Sequence, residues 1–335
     1  MKIAIVKLSA LGDIVHAMVA LQFIKRARPD LTIDWLVEEG FAGVLQDNPD
    51  INQVLTVNLK SLKKYKSNFF TEIAQLKDYA SNQYDMVIDA QGLIKSAVVS
   101  RILSANVAGF DSQSTREKPA SWFYKKQIAY PYDANTIDRN VAVIGQPLEV
   151  QITEQQIINK AAFLFYTGGL VGDIASFFAK EKANILFVIG STWASRNYPK
   201  EKYLRVIEGL EANSLIIWGS EQEKKDADWI ASHTDKAQVL PRMNFNLLKA
   251  ALDNADLVIG NDTGPTHMAW GVNTPSITLF GPTPVSRVYQ TDINKVLKSS
   301  STVNPYKLDK NDFSIKEIKA EDVIELAKSL LSDSS

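Results

Sequence analysis

The chain has 335 residues, a formal net charge of −1 and no cysteine. The lack of cysteine excludes disulfides, thiolate metal sites and cysteine nucleophiles, and three histidines far apart in sequence predict no metal centre. The near-neutral charge, without a sustained basic stripe, argues against nucleic-acid binding. At roughly 150 residues per domain, the length predicts two domains.

The first residues, MKIAIVKLSALGD, predict a strand rather than a secretory signal. Their apolar run is short and ends at Lys7, and no small-residue cleavage site follows. Nowhere do about 20 apolar residues run together, as a membrane-spanning helix requires. Attachment to a membrane surface stays open.

Apolar blocks of strand length alternate with segments of helical period through the first half of the chain. Strands this continuously apolar are typical of a parallel sheet covered by helices on both faces. The predicted strands are 2–7, 32–39, 53–58, 84–92 and 106–110, and the predicted helices lie near 13–28, 69–81 and 94–103.

The rhythm weakens between about 121 and 175, after which a second series of the same kind begins. The pattern predicts an α/β protein of two doubly wound, Rossmann-like domains that face a cleft. The closing segment has apolar residues along one helical face, which we expect to pack back on the N-terminal domain. The predicted strands of the second series are 184–190, 215–220, 239–241, 256–262 and 276–282, and the predicted domains are 1–165, 176–315 and the closing helix, 316–335.

The turn after the first strand, SALGD, has neither the GxGxxG of a dinucleotide fold nor the GxxxxGK[ST] of a phosphate loop. Gly12 and Asp13 instead meet the start of a helix at the carboxyl end of a strand, where open α/β sheets usually bind ligands. Asp13 has two interpretations. It caps the helix and interacts favourably with its dipole, or its side chain turns into the cleft and acts as a general base for an alcohol nucleophile.

The segment VIGNDTGPTHMAWG contains the sharpest cluster of the second domain. An apolar strand ends at Asp262, and Thr263 and Gly264 precede a short helix that contains His267. Because a helix N-terminus aims free backbone N–H groups at its surroundings, the cluster predicts a diphosphate site without a Walker lysine. The alternative is a helix cap and a tight turn.

Three further loops follow strands of the second domain. GSTWASRNYP offers the hydroxyls of Ser191 and Thr192 and the guanidinium of Arg196, which holds two phosphate oxygens at once or is simply solvated. Glu223 accepts hydrogen bonds from ribose hydroxyls, or is a first-turn helix glutamate. Met243 packs against a flat base or belongs to the core. Because these residues converge on loops after strands, we predict that a nucleotide diphosphate binds this domain.

A basic surface is predicted on the first domain. The stretch from Asn58 to Lys66 is rich in lysine, and two more basic residues extend it. These residues attract the anionic phosphates of a lipid or sugar, or they are simply solvated. The aromatic residues at 122–124 meet lipid headgroups or pack inside. The candidate acceptor-binding residues are Lys60, Lys63, Lys64, Lys95 and Arg116.

Six segments, in order along the chain, resemble the ADP-heptose:lipopolysaccharide heptosyltransferases, in particular those of the inner core. They are VKLSALGDIVHAMVAL, IDWLVEEGFA, YDMVIDAQGLIKSA, STREKPASWFY, VLPRM and NDTGPTHMAWGVNTPSITLFGPT. Their order and spacing make the resemblance far more specific than any single motif. Arg196 stands where close relatives have lysine and Ser191 where they have threonine, changes that keep the chemistry.

The resemblance implies a GT-B fold with an acceptor-binding N-terminal domain and an ADP-sugar-binding C-terminal domain. It implies transfer of L-glycero-D-manno-heptose from ADP-heptose to 3-deoxy-octulosonic acid (Kdo) on Kdo2-lipid A, with inversion and without a metal or cofactor. It also implies a cytoplasmic chain that is peripheral at the inner face of the inner membrane. By position, Asp13 resembles the general base, and the donor-binding residues are Ser191, Thr192, Arg196, Glu223, Met243, Asp262, Thr263, Gly264 and His267.

Two alternatives stay open at the level of the sequence. The first is a GT-B enzyme that uses another sugar nucleotide or acceptor. The second is a non-catalytic protein that binds a nucleotide or a carbohydrate in the same cleft. Incubation with ADP-heptose and heptose-free lipid A core tests the first alternative. Replacement of Asp13 by alanine tests the second, because a transferase loses turnover but keeps its affinity for the donor, whereas a binding protein is unaffected.

Overall fold

A computed structural model describes residues 1–61, 68–170 and 172–332 of the chain. The chain divides into unit 1, Met1–Phe163, and unit 2, which begins at Leu164. Two of the predicted acceptor-binding residues, Lys63 and Lys64, lie outside the described residues. Within those described ranges, no helix combines the length and the apolar character needed to cross a bilayer.

The described part of unit 1 contains one parallel sheet with helices on its faces. The strands are β1 (Lys2–Val6), β2 (Thr32–Glu38), β3 (Gln53–Val57), β4 (Met86–Asp89), β5 (Val107–Phe110) and β6 (Lys126–Ile128). The helices are α1 (Leu11–Ala27), α2 (Ala42–Leu45), α3 (Phe69–Ala80), α4 (Ile94–Leu103), α5 (Thr136–Gly145) and α6 (Glu154–Ile158).

The sheet of unit 1 has the strand order β3-β2-β1-β4-β5-β6. The chain therefore moves one way from β1 to β3 and the other way from β4 to β6. Helix α1 packs against α5, and α3 packs against α4. Right-handed crossovers place these two pairs on opposite faces of the sheet. The switch point between β1 and β4 is where open α/β sheets bind ligands.

Both faces of this sheet are buried, which explains the continuous apolar runs in the sequence. On one face, Ala4 and Val6 of β1 share a core with Leu76 of α3. Ile3 and Ile5 point the other way along the same strand and are also fully buried. A strand covered on both sides has no polar alternation, because no side chain faces water.

Unit 2 repeats the same architecture. Its strands are β7 (Asn184–Val188), β8 (Asn213–Ile217), β9 (Ala237–Val239), β10 (Leu257–Asn261), β11 (Ser276–Phe280) and β12 (Asn294–Lys298). Its helices in the described residues are α7 (Lys200–Glu208), α8 (Glu221–Ala231), α9 (Phe245–Asp253), α10 (Gly264–Val272) and α11 (Ala320–Ser332). The strand order is β12-β11-β10-β7-β8-β9, with the switch point between β7 and β10. The prediction of two doubly wound α/β domains is confirmed.

The closing helix differs from the prediction, because α11 packs within unit 2. Val323, Ala327 and Leu330 are buried in the core of that unit. The helix crosses α7 closely at Gly209, where a Cβ atom would lie 2.4 Å from Cδ1 of Ile324. The sequence correctly predicts one apolar face, but it carries no information on which domain receives that face.

The sequence pattern misses β6 (KQI) and β12 (NKVLK). Each lies at one edge of its sheet and pairs with a single neighbouring strand. Both contain partly exposed polar residues, so neither forms an apolar run. Edge strands need less apolar surface than central ones because one side of their backbone faces solvent.

Candidate active site

Asp13 lies in the first turn of α1, beyond the loop that follows β1. Its Oδ2 accepts a hydrogen bond from the backbone N–H of Ala10 at 3.4 Å, a long contact of the capping type. The residue is half-buried. The capping interpretation is therefore present but weak, and the carboxylate remains accessible to a substrate.

Two side chains that the sequence analysis did not single out support this loop. Gln91, which follows β4, accepts hydrogen bonds from the backbone N–H groups of Leu8 and Ser9, both at 3.0 Å. Lys7 is buried and donates to the Ala90 carbonyl and to Asn140 Oδ1, both at 2.8 Å. The only signal in the sequence is a lysine that interrupts an apolar strand, and its partners lie far along the chain.

Lys7 places a positive charge close to Asp13. Burial lowers the pKa of Lys7, while the negative charges of Asp13 and Asp89 act in the opposite direction. Asp89 is itself fully buried, and its Oδ2 accepts hydrogen bonds from Tyr124 at 2.7 Å and from Ser96 at 2.8 Å. The floor beneath the Asp13 loop is thus a fixed polar network.

The predicted acceptor-binding lysines that are described lie near one buried carboxylate. Glu38 ends β2, and its backbone N–H donates to the Leu8 carbonyl in the Asp13 loop. Burial raises the pKa of Glu38, and the positive charges of Lys95 and Lys60 oppose that shift. Both lysines are exposed, as is Arg116. The structure therefore places Lys60 and Lys95 at the sheet edge that carries Asp13.

In unit 2, the loops after β7 and β10 bring four predicted residues together at the switch point. Asp262 is 1% exposed; its Oδ1 accepts a hydrogen bond from His267 Nε2 at 2.9 Å, and its Oδ2 lies 3.3 Å from Arg196 Nη1. Arg196 Nη2 donates to Thr192 Oγ1 at 2.8 Å. Ser191, one residue earlier, donates through its hydroxyl to the Trp193 carbonyl. Arg196 is therefore held in place rather than solvated.

Asp262 is the anionic centre of this cluster. Burial by itself would raise the pKa of Asp262, but the hydrogen bond from His267 and the positive charges of Arg287 and Arg196 outweigh burial and hold the pKa well below its usual range. Arg287, in the loop after β11, is a residue that the sequence analysis missed. Its Nε is buried and has no hydrogen-bond partner among the described residues.

The buried ion pair between Asp262 and Arg196 should make the free energy of unfolding depend on pH in acid. Asp262→Asn is expected to lower the free energy of unfolding at pH 7 by about 3–5 kcal/mol, because it leaves buried cations without their counter-charge. The folded-state pKa of Asp262 lies below the unfolded value of about 3.9, so its contribution is present above that pH and is lost as the pH falls through the folded-state pKa. Urea unfolding at several pH values measures both effects.

Asp226→Asn is the matched control, since Asp226 pairs with Lys200 but is 35% exposed. It should cost less than about 1 kcal/mol at any pH. Equal losses in the two variants, or a loss in Asp262→Asn that stays constant down to strong acid, would contradict the assignment.

The N-terminus of α10 borders the same cluster. Thr263 is its N-cap residue, but the Thr263 side chain makes no capping hydrogen bond. Gly264 begins the helix, and Pro265 has no N–H to donate. The first-turn N–H groups of Gly264 and Thr266 have no intrahelical acceptor. The side-chain cap expected under the alternative interpretation is thus absent at Thr263, which leaves the hydroxyl and these N–H groups for a ligand.

Glu223 and Ser191 line one cavity of about 350 Å³ beyond the ends of β7 and β8. Glu223 Oε2 accepts hydrogen bonds from the backbone N–H groups of Gly219 at 2.6 Å and Ser220 at 3.3 Å, so it is a capping glutamate of α8. At Gly190 a Cβ atom would lie 2.1 Å from Cδ of Glu223, so only glycine admits the carboxylate. Met243 is half-buried in the loop between β9 and α9 and does not belong to the core.

The comparison with known proteins decides the family. The family described as glycosyltransferase family 9 (heptosyltransferase) matches residues 74–314. The chain belongs to this family. This family 9 glycosyltransferase is 36% identical to lipopolysaccharide heptosyltransferase 1 of Campylobacter coli, over 99% of this chain and 100% of the relative. It is 30% identical to lipopolysaccharide heptosyltransferase 1 of Escherichia coli K12, over 84% and 88% of the two chains.

Solved structures are similar over almost the whole family 9 chain. The E. coli heptosyltransferase WaaC with ADP-2-deoxy-2-fluoro heptose has a TM-score of 0.79 and 25% identity, covering 98% of this chain and 99% of that one. E. coli ADP-heptose lps heptosyltransferase II has a TM-score of 0.75 at 17% identity, covering 100% and 99%, which is a likeness of fold. The GT-B fold class and the glycosyltransferase activity predicted from the sequence are confirmed.

Proposed function

We propose that this glycosyltransferase moves L-glycero-D-manno-heptose from ADP-heptose to Kdo of Kdo2-lipid A, with inversion, in synthesis of the lipopolysaccharide inner core. The full-length similarity to lipopolysaccharide heptosyltransferase 1 carries the proposal. The cluster of cations and backbone N–H groups at the switch point of unit 2 supports a diphosphate donor, and the similar solved structures of E. coli WaaC are those with ADP and with ADP-2-deoxy-2-fluoro heptose.

In this proposal unit 2 binds the donor. Arg196, Thr192 and Ser191 contact the diphosphate from one side, and Thr263 with the Gly264 N–H contacts it from the α10 side. Asp262 does not itself bind the anion. It holds Arg196 and His267 in place, since its two carboxylate oxygens are already engaged by them. Arg287 supplies a second guanidinium, and a planar fork of this kind suits two phosphate oxygens.

The nucleoside of the donor occupies the neighbouring part of unit 2. Glu223 accepts hydrogen bonds from the ribose hydroxyls through the carboxylate capacity left after its capping contacts. Met243 packs on the adenine ring from the β9–α9 loop, where the residue is partly exposed.

The chemistry is a single displacement. The acceptor hydroxyl oxygen attacks the anomeric carbon as the bond from that carbon to the phosphate oxygen breaks, and ADP leaves with the bonding electrons. Negative charge grows on the diphosphate, so Arg196 and the α10 N–H groups stabilise the transition state more than the ground state. Asp13 accepts the proton of the attacking hydroxyl. One displacement inverts the anomeric configuration without a covalent intermediate.

The acceptor binds unit 1 in this proposal. Lys60 and Lys95 lie at the sheet edge that carries Asp13, and with Arg116 they attract the phosphate and carboxylate groups of Kdo2-lipid A. Lys63 and Lys64, outside the described residues, belong to the same proposed surface. The enzyme acts on the cytoplasmic side and is peripheral to the inner membrane, where its lipid acceptor resides.

Incubation of the purified protein with ADP-heptose and heptose-free Kdo2-lipid A tests the function. Mass spectrometry should show the acceptor heavier by one heptose residue and release of ADP. Transfer only from another sugar nucleotide, or to another acceptor, would favour a different GT-B activity. Tight binding of ADP-heptose without any transfer would favour a non-catalytic binding protein.

A further inference from the structure

Large exposed apolar side chains concentrate on one part of unit 1. Phe70 and Trp122 are each 80% exposed, and Phe69, Ile94 and Val98 are also exposed. We call these five residues the aromatic surface. They lie on α3, on α4 and on the short helical segment 118–123.

These three elements are packed on one another. Helix α3 contacts α4, and α4 contacts the segment 118–123. The start of α4 is tied to that segment because the Ile94 N–H donates to Glu117 at 2.8 Å. In a parallel sheet the helices return antiparallel to the strands, so α3 and α4 both begin at the carboxyl edge. Phe69, Phe70 and Ile94 therefore lie at the sheet edge that carries the Asp13 loop.

The exposed rings are presented by anchored elements rather than by frayed ends. Two residues after Trp122, the buried Tyr124 donates to Asp89 at 2.7 Å. Two residues after Phe70, the buried Glu72 accepts from the Asn58 N–H at 2.9 Å. Each anchor fixes the backbone, while the ring of Trp122 and most of the ring of Phe70, which meets Phe69 edge to face at 5.7 Å between centroids, stay in solvent.

Exposed lysines flank the parts of the aromatic surface that lie on α4 and on the segment 118–123. Residues 93–128 contain six lysines and arginines but only two acidic residues. Lys95, Lys118 and Lys125 are exposed beside it. Aromatic rings combined with lysine and arginine are the composition that favours the interface of an anionic bilayer, because the rings enter the headgroup region while the cations attract lipid phosphates.

We propose that the aromatic surface docks on an anionic lipid bilayer and so presents the Asp13 edge of unit 1 to an acceptor carried in that bilayer. The exposed rings and the neighbouring lysines carry the docking proposal by themselves. The role of the docking, to bring the enzyme to a lipid acceptor, rests on the proposed function. A neutral partner would leave the surrounding cations without counter-charges, and a second copy of this chain would bring the same cations into apposition.

Vesicle sedimentation with the full-length protein tests the proposal. The probes are vesicles of phosphatidylcholine alone and of an equimolar mixture of phosphatidylcholine and phosphatidylglycerol. The protein should bind the mixed vesicles, and binding should weaken as salt is added. The double variant Phe70→Ser, Trp122→Ser should bind more weakly by at least about tenfold, because it removes two largely exposed aromatic rings whose insertion buries apolar surface.

The matched control is Tyr306→Ser, Phe313→Ser, which removes two exposed rings of unit 2, 65% and 42% exposed in the folded chain. It should bind the mixed vesicles as the parent protein does. Equal vesicle binding by the Phe70, Trp122 double variant would overturn the proposal. So would a parent protein that is dimeric by light scattering and becomes monomeric in that variant, since a second copy would then cover the surface.

Transfer to a deacylated, water-soluble Kdo acceptor separates this proposal from the proposed function. The double variant should retain the parent kcat/KM on that acceptor while losing vesicle binding. If no heptose is transferred by either protein but vesicle binding still depends on Phe70 and Trp122, the function fails and the docking surface stands. If transfer to the soluble acceptor falls together with vesicle binding, the residues act within the reaction and the docking proposal is wrong.

Discussion

Replacement of Asp13 by alanine should lower kcat by about 10²–10⁴-fold, the usual contribution of a positioned general base. The dissociation constant for ADP-heptose should stay unchanged, because the proposed donor contacts all lie in unit 2. Single-turnover kinetics with Kdo2-lipid A measure the first quantity, and calorimetric titration with ADP measures retention of the donor site. The same variant separates a transferase from a binding protein, which would bind its ligand as before.

The control for this variant addresses the capping contact that is also lost. Within the described part of the chain, Asp13 accepts one hydrogen bond, a long one from the Ala10 N–H at 3.4 Å. Gln156 has a comparable position in α6, where its side chain accepts from the Thr153 N–H at 2.8 Å. Gln156→Ala should reduce stability by about 1 kcal/mol or less and leave kcat intact. An Asp13→Ala enzyme that keeps normal turnover, or that loses activity only as its folded fraction falls, would remove the general-base role.

Replacement of Arg196 by alanine should weaken ADP binding by about 10- to 100-fold, the value of one or two hydrogen bonds between charged groups. It should lower kcat as well, because the charge on the leaving diphosphate is greater in the transition state than in the bound donor. Arg196→Lys keeps the positive charge but loses the planar guanidinium. Its ADP affinity and kcat should therefore lie between those of the parent protein and those of Arg196→Ala. Titration with ADP and steady-state kinetics give the two quantities separately.

Two further arginine variants test whether the effect is specific to Arg196: one replaces a second candidate ligand of the diphosphate, and the other is a control. Arg287→Ala should weaken ADP binding if the guanidinium of Arg287 contacts the diphosphate, and the loss should add to that of Arg196→Ala only in part, since both cations act on Asp262. Arg205→Ala removes an exposed guanidinium paired with Glu321 and should change neither ADP affinity nor kcat. Unchanged ADP affinity in Arg196→Ala would place the diphosphate elsewhere in unit 2.

The alternation of apolar strands and amphipathic helices is readable in the sequence because it is local. Helix α4 begins and ends at the predicted residues, and most central strands match within a few positions. The first and last residues of the shorter strands are less predictable. Residues 239–241 look like a strand because they are apolar, yet β9 covers Ala237–Val239, where the backbone pairs with β8. Register depends on the neighbouring strand and not on hydropathy alone.

The site residues could be found from motifs, but not their partners. Arg196 and Asp262 are 66 positions apart, and only the pairing of β7 with β10 brings their loops together. Lys7 and Asn140 are separated by 133 positions and meet because α5 packs beside α1 over the sheet. Arg287 carries no motif at all. Its closeness to Asp262 follows from the position of β11 beside β10.

The amino-acid sequence by itself determined the class of fold, the family and the loops that carry the candidate chemistry, because these depend on local periodicity and on short motifs after strands. Only the tertiary structure decided that Arg196 is held by Asp262, that α11 belongs to unit 2, and that the elements carrying the exposed Phe70 and Trp122 both pack against α4. Each of these facts depends on contacts between segments that are distant in sequence. Such contacts are set by the total apolar area that the folded chain buries, which no short stretch of sequence determines.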